Sequence, residues 1–223
     1  MKQIPLPIGT AAARTFGNFV VGANALAVSH LQSLQPGATP VYLWGPSGCG
    51  KSHLLQAVMC HLQAQGVKVA SFSAADAAPW AHDGQWGAIA VDDCERLAPD
   101  QQHGAFAQFV QAASQRCTIV AAGRLPPVDM PVREDLRSRL GWGHVMAVAP
   151  LSEPEARAAL RRDADRRGIL LSDEVMAYLL TRFARDLKSL FDLLDRLDDF
   201  SLANKRSVTV PLLRRMLAEE GGG

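Results

Sequence analysis

Short unbroken apolar runs punctuate the first two thirds of the chain: VYLW at 41–44, VKVASF at 67–72, AIAV at 88–91, CTIVAA at 117–122 and VMAVA at 145–149. Each is bounded by Gly, Pro or Asp, which predicts strands buried in a sheet. Between the runs the period changes. Leu54, Leu55, Val58, Met59 and Leu62 keep the i, i+3/i+4 spacing of a helix, as do Phe106, Phe109 and Val110. Strands that alternate with helices imply crossover connections, so the expected class is α/β with a five-stranded parallel, doubly wound sheet.

After Pro150 the strand pattern stops and three helical patterns follow. Two are opened by Ser152 and Ser172, each followed by acidic residues where a helix dipole favours negative charge. A third, near Arg185, carries the stripe Leu187, Leu190, Phe191, Leu194 and Leu197. The expected organisation is an extended arm over 1–15, an α/β domain over 16–150 and a small all-helical lid domain over 151–220.

Composition narrows the function classes. Lys and Arg number 23 against 22 Asp and Glu, a net charge of +1 that removes overall basicity as an argument for nucleic-acid binding. The four cysteines form no C-x-x-C pair, so neither a zinc site nor a disulfide scaffold is indicated. No apolar run approaches the roughly 18 residues that span a bilayer, and the N-terminus lacks a sustained apolar segment; the expected location is the cytoplasm, with no membrane contact. The histidines have no metal-ligand spacing and no serine sits in a G-x-S-x-G elbow. Five arginines between Arg157 and Arg167 read as a solvated lid face.

The strongest chemical signal follows the first strand. Gly45-Pro46-Ser47-Gly48-Cys49-Gly50-Lys51-Ser52 fits G-x-x-x-x-G-K-[ST] at every position and opens a helix. Glycines let backbone amides turn inward around phosphates, the helix N-terminus adds positive potential, Lys51 reaches the β/γ oxygens and Ser52 ligates Mg²⁺. The adjoining His53 is carried with this cofactor-binding segment, although by itself it reads as packing or surface. The run AIAV ends in Asp92-Asp93, two carboxylates at the C-terminal end of a strand. Asp92 is the expected metal-shell residue and Asp93 the expected residue to orient an attacking water.

In kind and order, GPSGCGKSHL, AIAVDDCERL, RSRLGWG and ARDLKSLFDLLDRL resemble the Walker A, Walker B, box VII and sensor 2 segments of the AAA+ ATPases, and more narrowly of the DnaA initiator family. The likeness spans nearly the whole chain. Within that family it is greatest for the short regulatory proteins that inactivate DnaA. The resemblance implies bound ADP or ATP with Mg²⁺. It makes Arg139 an arginine finger that completes a neighbouring subunit's nucleotide site, and Arg185 the sensor 2 arginine. It also makes Gln3, Ile4, Leu6 and Pro7 of the arm a docking peptide for the β subunit sliding clamp of DNA polymerase III. DnaA would be the second partner, DNA would be met through the clamp, and self-association into a homodimer is left open.

One departure stands out. Where the family carries a polar sensor 1 residue, this chain reads Ala121-Ala122-Gly123-Arg124, which implies slow hydrolysis without a partner. The leading expectation is a regulator that, with the DNA-loaded clamp, stimulates hydrolysis of DnaA-bound ATP and so represses re-initiation of chromosomal replication. The alternative is a DNA-directed AAA+ ATPase, either initiator-like or a helicase loader.

Overall fold

Alternate strand residues face opposite helical layers, because side chains along a strand point up and down in turn. In β1 (Val41–Trp44), Val41 and Leu43 join Ala88, Ala90, Val120 and Ala122 in a core shared with α1 (Ala25–Gln32) and α2 (Lys51–Ala64), which bury Val28, Leu31, Leu54, Val58 and Leu62. Tyr42, Ile89, Val91, Ile119 and Ala121 point the other way, into a second core with Phe109 of α3 (Pro99–Ser114) and Leu136 and Leu140 of α4 (Glu134–Leu140). This is a computed structural model; it describes residues 13–80, 84–183 and 208–220, together with 190, 193, 194, 196, 197 and 200.

The remaining strands are β2 (Val69–Phe72), β3 (Ala88–Val91), β4 (Thr118–Gly123) and β5 (His144–Ala147). All five pair in parallel, in the order β2-β3-β4-β1-β5. Trp44 lies opposite Gly123 and Val91 opposite Ala121, so β1 and β4 end level, β3 ends two residues earlier, and all three deliver their following loops to one edge of the sheet. The expectation of buried strands holds for β1, β3 and β4. It fails at both margins of the sheet: β2 is only partly buried, with Ser71 exposed, and β5 exposes His144, Val145 and Ala147.

The described residues divide into two compact units, 13–150 and 151 onward. The second is helical, with α5 (Glu153–Arg167), α6 (Asp173–Phe183) and α7 (Val210–Glu220) around a core that includes Leu160, Val175, Met176, Leu179, Leu190, Leu193, Leu194 and Leu197. At the start of α5 the Glu155 carboxylate accepts the Ser152 amide (2.8 Å) and hydroxyl (2.6 Å), and at α6 the Ser172 hydroxyl accepts the Val175 amide (3.3 Å). Beyond the three helical patterns read from sequence, α7 adds a further lid helix and buries Leu212, Leu213 and Met216. Pro211 stands at its second residue, where a missing N–H is tolerated. The arginine run is a paired, solvated face, with Arg157 near Glu153 (3.8 Å), Arg161 on Asp173 (2.6 Å) and both Arg166 and Arg167 on Asp163.

Candidate functional site

The loop after β1 turns back over its own strand. Gly45 donates to the Gly123 carbonyl (3.3 Å), and a Cβ there would fall on the Val148 carbonyl oxygen. Gly50, with φ +102°, forms the N-cap of α2, and a Cβ on it would lie 2.7 Å from the Phe19 ring. Lys51 begins the helix, and its ammonium, in a residue only 8% exposed, donates to the carbonyls of Gly45 and Pro46, both at 2.8 Å. Among the described residues no carboxylate lies within ion-pair distance of it. A buried cation held by neutral groups, beside the unpaired amides that open a helix, is suited to a phosphate. Cys49 lies under the loop with its thiol 3.7 Å from the Lys51 nitrogen, and burial pushes that thiol's pKa up.

At the same edge Asp92 is half-buried. Its amide donates to the Phe72 carbonyl (2.8 Å) and one carboxylate oxygen takes the Asp93 amide (2.8 Å). Ser52 is half-buried in the first turn of α2. Among the described residues no group of three or more His, Cys, Asp or Glu could hold a metal ion. One hydroxyl and one carboxylate suit Mg²⁺, which commonly keeps water and phosphate oxygens in its shell. Asp93 adopts a left-handed backbone (φ 51°), and its carboxylate lies 3.8 Å from Arg96.

Two features of this edge were not anticipated from sequence. One oxygen of Glu95 accepts the Arg124 amide (3.1 Å), while its other oxygen is buried without a hydrogen-bond partner. The carboxylate thus joins the loops after β3 and β4, where the expected polar residue is missing. Residues 15–24 also brace the loop. The Thr15 carbonyl meets His53 Nε2 (2.9 Å), Phe19 packs edge-on against the same imidazole, and the Asn24 amide exchanges two hydrogen bonds with the Ala149 backbone. His53 is therefore a packing group under the helix start, and burial lowers its pKa.

Arg139 lies elsewhere. The loop after β4 leads into α4, which descends from the carboxyl edge of the sheet; the Gly141-Trp142-Gly143 turn then feeds the start of β5, where His144 donates to Pro40 (2.9 Å), just before β1. The start of α4 is tied to α3, since the Arg133 amide donates to the Gln102 side chain (2.9 Å) and its guanidinium meets His103. Arg139 thus sits toward the amino edge, in an open hollow of about 350 Å³ lined by Phe106, Asp135, Ser138, Arg139 and Trp142. Its guanidinium carbon is 5.3 Å from the Trp142 ring centroid and 5.9 Å from that of Phe106. Sequence reading placed Phe106 only in a helical stripe and Trp142 only within the RSRLGWG segment. Gln3, Ile4, Leu6, Pro7 and Arg185 lie outside the described residues.

Comparison with known families separates the two units. Residues 11–77 match the model of the bacterial DnaA ATPase domain, and residues 153–217 match that of the Hda lid domain. The two matches, each over less than a third of the chain, support a DnaA-related AAA+ assignment. Its fold is similar to domain III of the Thermotoga maritima replication initiation protein DnaA, with a TM-score of 0.77 at 19% identity, covering 94% of this chain and 97% of that one. It is also similar to AMPPCP-bound DnaA from Aquifex aeolicus (TM-score 0.66, 21% identity, 84% of this chain), of whose length it spans 66%. Thermotoga maritima RuvB is a third likeness, with a TM-score of 0.66 at 16% identity over 92% of this chain and 71% of that one. The α/β AAA+ architecture followed by a helical lid thus agrees with sequence expectation. Among the described residues no helix is long and apolar enough to cross a membrane.

Proposed function

We propose that this DnaA-related protein is a nucleotide-binding regulator that lends Arg139 to ATP held by DnaA and so promotes that ATP's hydrolysis. The observation that carries the reading is the placement of two charged groups. Lys51 lies at the carboxyl edge of the sheet and Arg139 toward the amino edge. The seven residues of α4 descend about 10 Å at 1.5 Å each. An arginine there is turned away from the chain's own phosphate loop, and a neighbouring molecule's nucleotide is the natural recipient. A guanidinium supplied in trans to a transferring phosphoryl group is worth about 10³–10⁵ in rate.

The chain's own loop binds ADP or ATP through the amides of 45–52 and the Lys51 ammonium, with Ser52 and Asp92 holding Mg²⁺. A Mg²⁺ held by Ser52 and Asp92 would supply charge neutralisation at the phosphates. Intrinsic hydrolysis is slow, far below the typical enzyme value of about 10 s⁻¹. Asp93, the water-orienting candidate, is beside Arg96, and the segment Ala121-Ala122-Gly123-Arg124 offers no obvious side chain to position water where the family has a polar sensor. Arg185 senses the nucleotide from the lid. The arm residues Gln3, Ile4, Leu6 and Pro7 dock on the sliding clamp, through which the protein meets DNA, and repression of re-initiation follows. The test is hydrolysis of DnaA-bound ATP in the presence of DNA-loaded clamp. Arg139→Ala, and separately Gln3→Ala with Leu6→Ala, each remove the stimulation. Unchanged stimulation by either variant refutes the role given to those residues, and tight sequence-selective duplex binding by the chain alone favours the DNA-directed ATPase instead.

A further inference from the structure

Arg139 is held differently from its neighbour. Arg133 is neutralised by Asp135 at 2.7 Å. Arg139 has no carboxylate within ion-pair distance among the described residues, although Asp135 lines the same hollow. It faces aromatic rings instead, Trp142 at 5.3 Å and Phe106 at 5.9 Å. A ring face attracts a cation through its quadrupole and occupies none of the guanidinium's five N–H donors. A carboxylate would do the reverse: it would take two donors, cancel the charge and have to be displaced before an oxyanion could bind.

Trp142 suits this task. It is 63% exposed, so its indole contributes little to the core, and its amide donates to the Arg139 carbonyl (3.3 Å), which fixes the two backbones to each other. Phe106 supplies the second ring from α3, to which the start of α4 is tied.

We propose that Trp142 is a positioning residue that holds the Arg139 guanidinium by its flat face, keeping charge and donors available for an anionic oxygen presented by a partner. The proposal rests on the reading that Arg139 acts on the partner's triphosphate, and it names what aims that arginine. Because Trp142 acts through Arg139, its loss lowers the rate within the assembled complex and leaves assembly unchanged. One cation–π contact corresponds to about threefold to tenfold in rate.

Two readouts test this with the full chain and the variants Trp142→Leu and Trp142→Phe. The first is the NMR signal of the Arg139 Nε–H in the free protein, assigned by its disappearance in Arg139→Lys. Ring currents displace it in the native chain; the displacement largely persists in Trp142→Phe and collapses toward the free-arginine position in Trp142→Leu. The second is single-turnover hydrolysis of DnaA-bound ATP with DNA-loaded clamp, across a range of chain concentrations. Trp142→Leu lowers the plateau rate about threefold to tenfold at an unchanged half-saturating concentration, and Trp142→Phe restores most of it. An unchanged plateau, a shift confined to the half-saturating concentration, or an Arg139 signal indifferent to Trp142→Leu overturns the proposal. A native chain that gives no stimulation refutes the underlying reading, and the NMR signal then remains as the separate test of the positioning.

Discussion

The Lys51 nitrogen lies in a nearly closed environment, held by the Gly45 and Pro46 carbonyls and the Cys49 thiol. Such an arrangement is costly unless an anion completes it, because a buried ammonium gives up water for partners that carry only partial charge. Lys51→Ala should therefore weaken binding of a fluorescent ADP analogue at least tenfold, by the roughly 1.5–3 kcal/mol of a charge-assisted hydrogen bond. The thermal transition without nucleotide should stay close to that of the native chain. Gly50→Ala should act on the fold instead. A positive φ of 102° and a ring 2.7 Å from the new Cβ together cost on the order of 1–3 kcal/mol, seen as a lower urea midpoint at an unchanged slope. The phosphate loop was legible in sequence because its chemistry demands eight consecutive residues in fixed order. The rings around Arg139 were not, because Phe106 and Trp142 come from α3 and the turn after α4 and meet only in the folded chain. Glu95 was missed for the same reason: its partner, the Arg124 amide, follows a different strand.

At the scale of elements, the central strands could be read directly, since a strand buried on both faces leaves an unbroken apolar run in β1, β3 and β4. β5 gave a similar run yet lies exposed at the margin, because strand order is a property of the sheet and no single run encodes it. In the lid, the serine caps of α5 and α6 were legible from local hydrogen-bonding chemistry. The last helix, α7, fell inside the expected lid without being singled out as a helix, and packing of Leu212, Leu213 and Met216 reveals its part in the core. Ser172→Ala should cost about 0.5–2 kcal/mol by freeing the Val175 amide, measured by chemical denaturation.

For the whole molecule, buried titratable groups define a window of stability. Burial holds His30 and His53 below the ordinary histidine value, with His144 reinforcing it for His30. Their depressed pKa values mean the unfolded chain binds protons first as pH falls through about 6.5, so stability declines on the acid side. Burial raises Cys117 from 9.0 to about 11, and Cys49 and Cys94 are raised as well. That contribution is fully present below pH 9.0 and is lost as pH rises through about 11. Denaturant midpoints should be flat near pH 7 to 8.5 and fall on both sides; a profile still rising past pH 9 contradicts this. The larger account depends on a two-edged architecture, with a phosphate loop at one end of the strands and an arginine toward the other. Its most direct test is a quench-flow measurement of DnaA-bound ATP hydrolysis after mixing with saturating native, Arg139→Lys or Arg139→Ala chain on clamp-loaded DNA. The account predicts that both variants lose on the order of 10³ in stimulated rate, because a lysine keeps the charge without the planar fork of donors. Stimulation by Arg139→Ala equal to the native chain's would contradict it.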